Sequence, residues 1–161
     1  MMKTIFCSHL AALAAFLLAG CGKSDAQPAA VAVPAPRVIA ITAGDDMKFS
    51  VTAIEAKPGE KLRITLANIG VVPKAAMAHN WVLLKAGTDP AAFAVAAIPA
   101  KDTGYIPESL KDEVIARIDL IGSGERGEIE LDAPAVPGDY PYLCTFPAHF
   151  QVGMRGTLTV K

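Results

Sequence analysis

Apolar and polar residues alternate with a period of two over much of the chain from about residue 38 onward. The alternation is clearest at Leu62, Ile64 and Leu66, which are separated by Arg63 and Thr65. Successive side chains of a β-strand point to opposite faces, so this pattern predicts half-buried, antiparallel strands and an all-β sandwich or barrel. The predicted strands are Val38–Thr42, Phe49–Ala53, Leu62–Leu66, Asn80–Leu84, Val114–Leu120, Glu128–Leu131, Asp139–Leu143 and Leu158–Val160.

One segment departs from this period. Residues 87–100 read GTDPAAFAVAAIPA, with Thr88 or Asp89 as an N-cap, Pro90 at a first helical position and an alanine-rich interior. These features predict a short helix that ends before Pro99. The helix lies within a long excursion between two predicted strands, so we expect it outside the sandwich.

The first twenty residues have the pattern of an export signal. A basic start is followed by an apolar run that ends in small residues and is too short for a permanent membrane span. The junction LLAGC resembles a bacterial lipoprotein signal, in which Cys21 becomes the lipidated N-terminus of the mature protein. The alternative is an ordinary signal peptide cut nearby, with Cys21 left as a free or disulfide-forming thiol.

Residues 22–37, GKSDAQPAAVAVPAPR, are rich in Pro and Ala and lack apolar periodicity, as is typical of a semi-extended linker. The predicted organisation is therefore a lipoprotein signal over 1–20, a lipidated Cys21 and flexible linker over 21–37, and one folded domain over 38–161. The protein is expected to be exported and membrane-anchored, facing the periplasm. Gly22 lacks the acidic character associated with inner-membrane retention, which favours the outer membrane.

Net charge and cysteine content argue against nucleic-acid binding and against an internal disulfide. The net charge of −1 becomes −2 when Lys3 leaves with the signal, which argues against nucleic acid as a partner. The folded domain would keep Cys144 as its only cysteine, so it cannot form an internal disulfide.

Cys144, His149 and Met154 stand in the spacing C-x4-H-x4-M, between the last two predicted strands. A sharp loop would bring a thiolate, an imidazole and a thioether together, and this set indicates a soft metal. One Cys, two His and a weak axial Met form a type 1, blue copper ligand set, and His79 is the remaining histidine of the mature chain. Taken singly, a buried Cys or a lone His is more often a packing or surface residue.

From about Met47 to Lys161 the sequence resembles azurin and its auracyanin relatives among the cupredoxins. The shared segments are DMKFSV, MAHNWVLL, LIGSGE and CTFPAHFQVGMRGTLTVK. The resemblance implies an eight-stranded Greek-key β-sandwich, the cupredoxin fold, with a short inserted helical flap and one copper ion near one end. Four residues separate His149 from Met154, as in plastocyanin and auracyanin, whereas azurin has three.

The resemblance also implies roles for individual residues. The copper ligands would be His79, Cys144 and His149 in the equatorial plane and Met154 on the axis, with a possible weak contact from the backbone of Ala78. Asn80 would hydrogen-bond into the ligand loop, and Phe146 would lie beside the cysteine sulfur.

These expectations predict an electron carrier rather than an enzyme. The partners would be redox proteins such as cytochromes or copper oxidases and reductases, and the carrier would be a monomer. An apolar docking patch is predicted at Met47, Pro147, Phe150 and Val152. Two alternatives remain open: a periplasmic copper-binding or chaperone protein that uses the same ligands, and an enzyme with Cys144 as nucleophile and His149 as base.

Overall fold

The computed structural model describes residues 35–161. The predicted signal, Cys21 and most of the linker lie outside the described residues. Within them, no helix is both long enough and apolar enough to cross a membrane.

Eight strands within residues 35–161 form two sheets, which confirms the all-β prediction. The sheets have the strand orders β1-β3-β6 and β2-β8-β7-β4-β5. The strands are β1 (Arg37–Ala43), β2 (Ala53–Ala56), β3 (Lys61–Asn68), β4 (His79–Leu84), β5 (Val114–Ile121), β6 (Arg126–Asp132), β7 (Gly138–Leu143) and β8 (Arg155–Val160). β1 begins at Arg37, whose guanidinium donates hydrogen bonds to the carboxylate of Glu60 and to the carbonyl of Glu55.

Two strand pairs differ from the antiparallel arrangement expected from the sequence. β1 pairs with β3 in parallel, and β2 pairs with β8 in parallel. The chain crosses from one sheet to the other after β1 and again after β2, so neither strand lies beside its sequence neighbour. A period of two reports which face is buried and contains no information about the direction of the neighbouring strand.

The strand predicted over Phe49–Ala53 is also displaced. Phe49 forms only an isolated bridge to Ala43 of the first sheet, whereas the amide of Thr157 in the second sheet donates to the carbonyl of Thr52. Residues 49–52 are therefore a crossing between the sheets, and β2 begins where the crossing ends.

β4 is buried on both faces, which explains why its residues 81–84 are a continuous apolar run. Trp81 and Leu83 belong to the core between the sheets. Val82 and Leu84 point the other way, into a second cluster that includes Phe93 of the flap, the segment 85–113 between β4 and β5. The flap is thus the cover for the outer face of β4.

The helix of the flap, α1, spans Pro90–Ala97 as predicted. Asp89 is its N-cap and accepts a hydrogen bond from the amide of Ala91 at 2.8 Å. Two short 3-10 helices, Lys101–Thr103 and Glu108–Glu113, lead the chain back to β5.

Candidate metal centre

Strand ends place the four predicted ligands at one end of the sandwich. His79 is the first residue of β4, Cys144 follows the last residue of β7, and Met154 precedes the first residue of β8. His149 lies on the loop that joins β7 to β8. The residues are buried, with exposed fractions of 0% for His79, Cys144 and Met154 and 2% for His149.

Cys144 points into the core because it continues the alternation of β7. Tyr140 and Tyr142 face the same core cluster, and Leu143 faces the flap. The inward direction of the thiol is therefore dictated by the strand that precedes it.

The predicted meeting of His79 with the Cys144 loop is present. The Nδ1 atoms of His79 and His149 are 3.3 Å apart, and the Sγ atom of Cys144 lies 3.4 Å from Nδ1 of His149. One ligand atom from each of the three residues lies within 4.8 Å of the others. Two imidazole nitrogens and one sulfur thus converge on one point.

Backbone hydrogen bonds hold the loop in this shape. The amide of His149 donates to the carbonyl of Phe146 at 3.1 Å, and the amide of Met154 donates to the carbonyl of His149 at 3.0 Å. The amide of Cys144 donates to the carbonyl of Met154 at 3.1 Å, which closes the loop at its base. Gly153, at φ 98°, takes the left-handed bend that precedes Met154.

Burial favours the neutral form of each group that would bind a metal. It lowers the pKa of His79, and together with the charge of His79 it lowers the pKa of His149 to about 4. The imidazoles are therefore neutral near pH 7 and have a lone pair for a metal. Burial also raises the pKa of the Cys144 thiol to about 12, against the opposing effect of the backbone amides of Asn80 and Phe146.

The donor set suits copper. A thiolate and two neutral imidazoles in a dry pocket form a soft nitrogen and sulfur site, and a bound cation would supply the charge that deprotonates Cys144. The structure therefore offers a fit for a type 1 copper ion at His79, Cys144 and His149.

Asn80 forms hydrogen bonds with Thr145, the residue that follows Cys144. Its Oδ1 atom accepts from the amide of Thr145 at 2.8 Å, and its Nδ2 atom donates to Oγ1 of Thr145 at 2.7 Å. Nδ2 also lies 3.4 Å from the carbonyl of Gly104 in the flap. Asn80 thus joins β4, the residue after Cys144 and the flap.

Phe146 is half-buried and packs against the core cluster that contains Cys144. Its ring also lies 4.8 Å from the ring of His149, with the planes tilted by 43°. Phe146 was expected to lie beside the sulfur of Cys144. The structure shows that it also contacts His149, a predicted copper ligand.

The predicted docking patch needs one correction. Phe150 is only 6% exposed and belongs to the cluster beneath the flap, with the guanidinium of Arg155 over its ring at 4.9 Å. Its spacing on the loop could not show which side of the loop it faces. Met47 and Pro147 are half-buried, and Val152 is 42% exposed.

Two apolar residues missed by the sequence reasoning lie at the same end. Ile69 and Val71, in the loop before His79, are 66% and 83% exposed. The amide of Ile69 donates to the carbonyl of Ala43 at the end of β1, which locates this loop at the ligand end. The run NIGVV, outside any period-two segment, was the available signal.

Comparison with known proteins decides the family. Residues 37–161 match the family of copper binding proteins described as the plastocyanin/azurin family. The chain belongs to this family. Copper is accordingly its metal, and the family comprises blue copper proteins of electron transfer.

Individual relatives agree with this assignment. Azurin of Pseudomonas fluorescens biotype A is 34% identical over 126 residues, which are 76% of this chain and 97% of that protein. Outer membrane protein H.8 of Neisseria gonorrhoeae is 36% identical over 171 residues, covering 89% of this chain and 91% of that protein. Auracyanin-B of Chloroflexus aurantiacus is 35% identical over 131 residues; these are 79% of this chain but 53% of auracyanin-B.

Solved structures confirm the cupredoxin fold. The dithionite-reduced auracyanin of Roseiflexus castenholzii superposes with a TM-score of 0.69 at 32% identity, over 80% of this chain and 99% of that one. The plastocyanin/azurin family therefore accounts for the described domain from β1 to β8.

Proposed function

We propose that this protein is a membrane-tethered electron carrier in which His79, Cys144, His149 and Met154 would hold one type 1 copper ion. The observation that carries the proposal is the buried convergence of two imidazole nitrogens and one thiol sulfur at the end of a rigid sandwich. The copper, when bound, would supply one-electron chemistry by alternating between Cu(II) and Cu(I).

The chain contributes rigidity. Copper(II) and copper(I) prefer different geometries, so a site that barely moves between them transfers an electron with little rearrangement. The closed backbone of the ligand loop and the bonds of Asn80 to Thr145 resist such movement. The backbone of Ala78 is the position for a further weak contact with the metal.

Burial also argues for electron transfer over catalysis. The ligand residues are at most 2% exposed, so a substrate has no path to the metal, whereas an electron can tunnel through a thin layer of protein. Of the four ligands, His149 alone has an exposed fraction above zero, 2%, and it lies on the same loop as exposed Val152.

An apolar surface around that loop would receive the redox partners. We assign it to Met47, Ile69, Val71, Pro147 and Val152, with Phe150 removed. Lys48 reaches across this surface, and its ammonium donates to the carbonyl of Val152. Weak, brief contacts with cytochromes or copper oxidases and reductases suit an apolar patch of this kind.

The tether rests on the sequence and on one relative. The similarity to a protein named as an outer membrane protein extends over 89% of this chain, more than the folded domain alone. We propose that Cys21 is lipidated after export and that residues 22–36 link it to β1. Arg37 pairs with Leu62, at the end of the sandwich opposite the ligands, so the linker joins the domain away from the docking surface.

Spectroscopy of the whole protein, extracted in detergent and loaded with Cu(II), tests the copper assignment. An intense visible thiolate-to-copper band and a narrow copper hyperfine splitting in the EPR spectrum are expected, and Cys144→Ser should abolish the band. A colourless protein that exchanges Cu(I) readily would instead indicate copper handling.

Cell fractionation tests the anchor separately. The wild-type protein should sediment with membranes, whereas a variant in which an ordinary cleavable export signal replaces residues 1–21 should appear in the soluble fraction. Release of the wild-type protein without detergent would contradict the tether and would leave the copper assignment unaffected.

A further inference from the structure

The tip of the flap has a backbone conformation that is unusual for its sequence. Gly104 and Tyr105 both have left-handed φ angles, 69° and 61°. A bulky residue at positive φ is an outlier, and it persists only where the surroundings hold it. Here the amide of Tyr105 donates to the carbonyl of Ala100 at 2.8 Å, and Oγ1 of Thr103 donates to the carbonyl of Ile106 at 2.6 Å.

This conformation places the Tyr105 ring against the ligand loop. The ring meets Phe146 edge-on, with centroids 5.3 Å apart and planes at 67°. Phe146 in turn lies 4.8 Å from the ring of His149. Three rings therefore form a continuous column from the flap tip to a copper ligand.

The ring of His149 also has a second ring neighbour. The ring of His79 lies 5.0 Å away at a tilt of 45°. The imidazole of His149 thus contacts the rings of both His79 and Phe146, and Phe146 in turn contacts Tyr105. His149 needs such support because it lies on a loop, where no strand neighbours fix its side chain.

We infer that Tyr105 is a positioning residue for His149: it presses Phe146 against the imidazole and so limits rotation of the ring away from the metal. The inference deepens the proposed function, since it concerns the same copper site. It gives the inserted flap a role in metal retention in addition to its role as a cover for β4.

The contacts assign the role to the side chain of Tyr105 and not to the flap in general. The link from Asn80 to the flap reaches the carbonyl of Gly104, which any residue at position 105 would leave in place. The aromatic column requires a ring at 105. A change from Tyr to Phe should therefore be silent, whereas removal of the ring should not.

The test compares three variants of the copper-loaded whole protein. Tyr105→Gly removes the ring and adopts a positive φ without strain. Tyr105→Phe keeps the ring. Val95→Ala, at a flap residue that is 61% exposed, controls for disturbance of the flap surface.

The readouts are the rate of copper loss to a chelator, the EPR spectrum and the thermal unfolding of the metal-free protein. Tyr105→Gly should lose copper about 10-fold faster than wild type, the effect typical of a residue that orients a metal ligand. Its copper hyperfine splitting should change, while its metal-free form should unfold at a temperature no lower than that of wild type. Tyr105→Phe and Val95→Ala should match wild type in all three.

Wild-type copper loss and EPR in Tyr105→Gly would overturn the inference, as would loss of the same size in Val95→Ala. If Tyr105→Gly does not fold, Tyr105→Asn replaces it, because asparagine tolerates the left-handed region and has no aromatic ring. Electron exchange is measured separately: a protein that holds copper firmly but exchanges electrons slowly would contradict the proposed function and leave the role of Tyr105 intact.

Discussion

Ala78 and Ala148 directly precede His79 and His149, and the two alanines differ in backbone conformation. Ala148 has a φ of 71°, in the left-handed region, whereas Ala78 is not among the residues with positive φ and is 1% exposed. A β-carbon is strained in the first position and packed in the second. The same substitution should therefore have opposite effects at the two sites.

We predict that Ala148→Gly raises the free energy of unfolding by about 1 kcal/mol by removing left-handed strain. Ala78→Gly, the matched control, should lower it by about 1 kcal/mol, through added backbone freedom and loss of a buried methyl group. Urea unfolding of the metal-free proteins measures both. Two changes of the same sign would show that φ at Ala148 does not govern its effect.

A second prediction at the scale of one residue concerns Asn80. Asn80→Ala leaves the buried amide of Thr145 without its partner and should cost about 2 kcal/mol of stability. The backbone amide of Asn80 also stabilises the Cys144 thiolate, and loosening that contact should lower the reduction potential, because a less stabilised thiolate donates more charge to Cu(II).

Asn68→Ala is the control for this change. Asn68 is equally buried, and its Oδ1 atom accepts from the amide of Gly70 at 2.9 Å, away from Thr145. We expect a comparable loss of stability with the potential unchanged. A potential that falls equally in both variants would assign the effect to general loosening of the domain.

At the scale of elements, the helix of the flap could be predicted entirely from neighbouring residues. The N-cap, the proline and the helix itself were predictable because capping involves residues only a few positions apart. The predicted start of β2 was wrong because β2 begins where the chain leaves one sheet and joins the other. That point is set by the pairing of Ala53 with Thr157, which is distant in the sequence.

Loss of the cap should weaken the flap without changing the metal centre. Asp89→Ala removes the bond to the amide of Ala91 and should lower the free energy of unfolding by about 1 kcal/mol. Asp102→Ala, an exposed acid in the neighbouring 3-10 helix, is the control and should have a much smaller effect. The visible spectrum should be unchanged in both; bleaching in Asp89→Ala would mean that the helix start reaches the copper site.

At the scale of the whole molecule, the proposed docking surface lies at one end of the sandwich, and the opposite end is not part of it. Val152 is exposed at the ligand end, and Val136 is 69% exposed in the turn before β7, at the other end. We predict that Val152→Asp slows electron exchange between copies of the protein by about 10-fold or more. The new carboxylate loses water when the two copies meet, which costs over ~1 kcal/mol even though Lys48 lies beside residue 152.

Val136→Asp adds the same charge at the opposite end and should leave the rate near that of wild type. Stopped-flow or NMR line-broadening measurements at constant ionic strength give the rates. If both variants slow equally, net charge and not the docking surface is responsible.

The stability of the metal-free protein should depend on pH through the buried histidines. The pKa of His149 is about 4 in the folded state against 6.5 as its ordinary value, so the unfolded state binds protons first. Stability is then greatest above pH 6.5 and falls as the pH decreases towards 4, by about 3 kcal/mol from His149 alone. His79, whose pKa is also lowered, adds to the loss.

Urea unfolding at several values between pH 7 and 5 measures this slope. The metal-free His149→Gln variant should have a shallower profile, and the carboxylate contributions cancel in the comparison. Copper competes with protons for the same nitrogens, so the loaded protein should unfold at higher urea throughout. Equal slopes in the two metal-free proteins would contradict the lowered pKa of His149.

Sequence alone determined the chemistry of this protein and most of its local structure. The alternation of apolar residues determines which faces of the strands are buried, and the composition of the C-x4-H-x4-M segment, with one further histidine, restricts the metal to a soft ion. These properties depend on residue type and short spacing, which a linear chain shows directly.

Tertiary structure decided what depends on contacts between distant residues. Only the fold brings His79 to within 3.3 Å of His149, 70 residues later in the chain. Only the fold buries Phe150 beneath the flap and sets Tyr105 against Phe146. The physical reason is that packing is collective. Which side of a loop is buried depends on the elements that pack against it, and one face of β4 packs against the flap while its first residue lies in the metal centre.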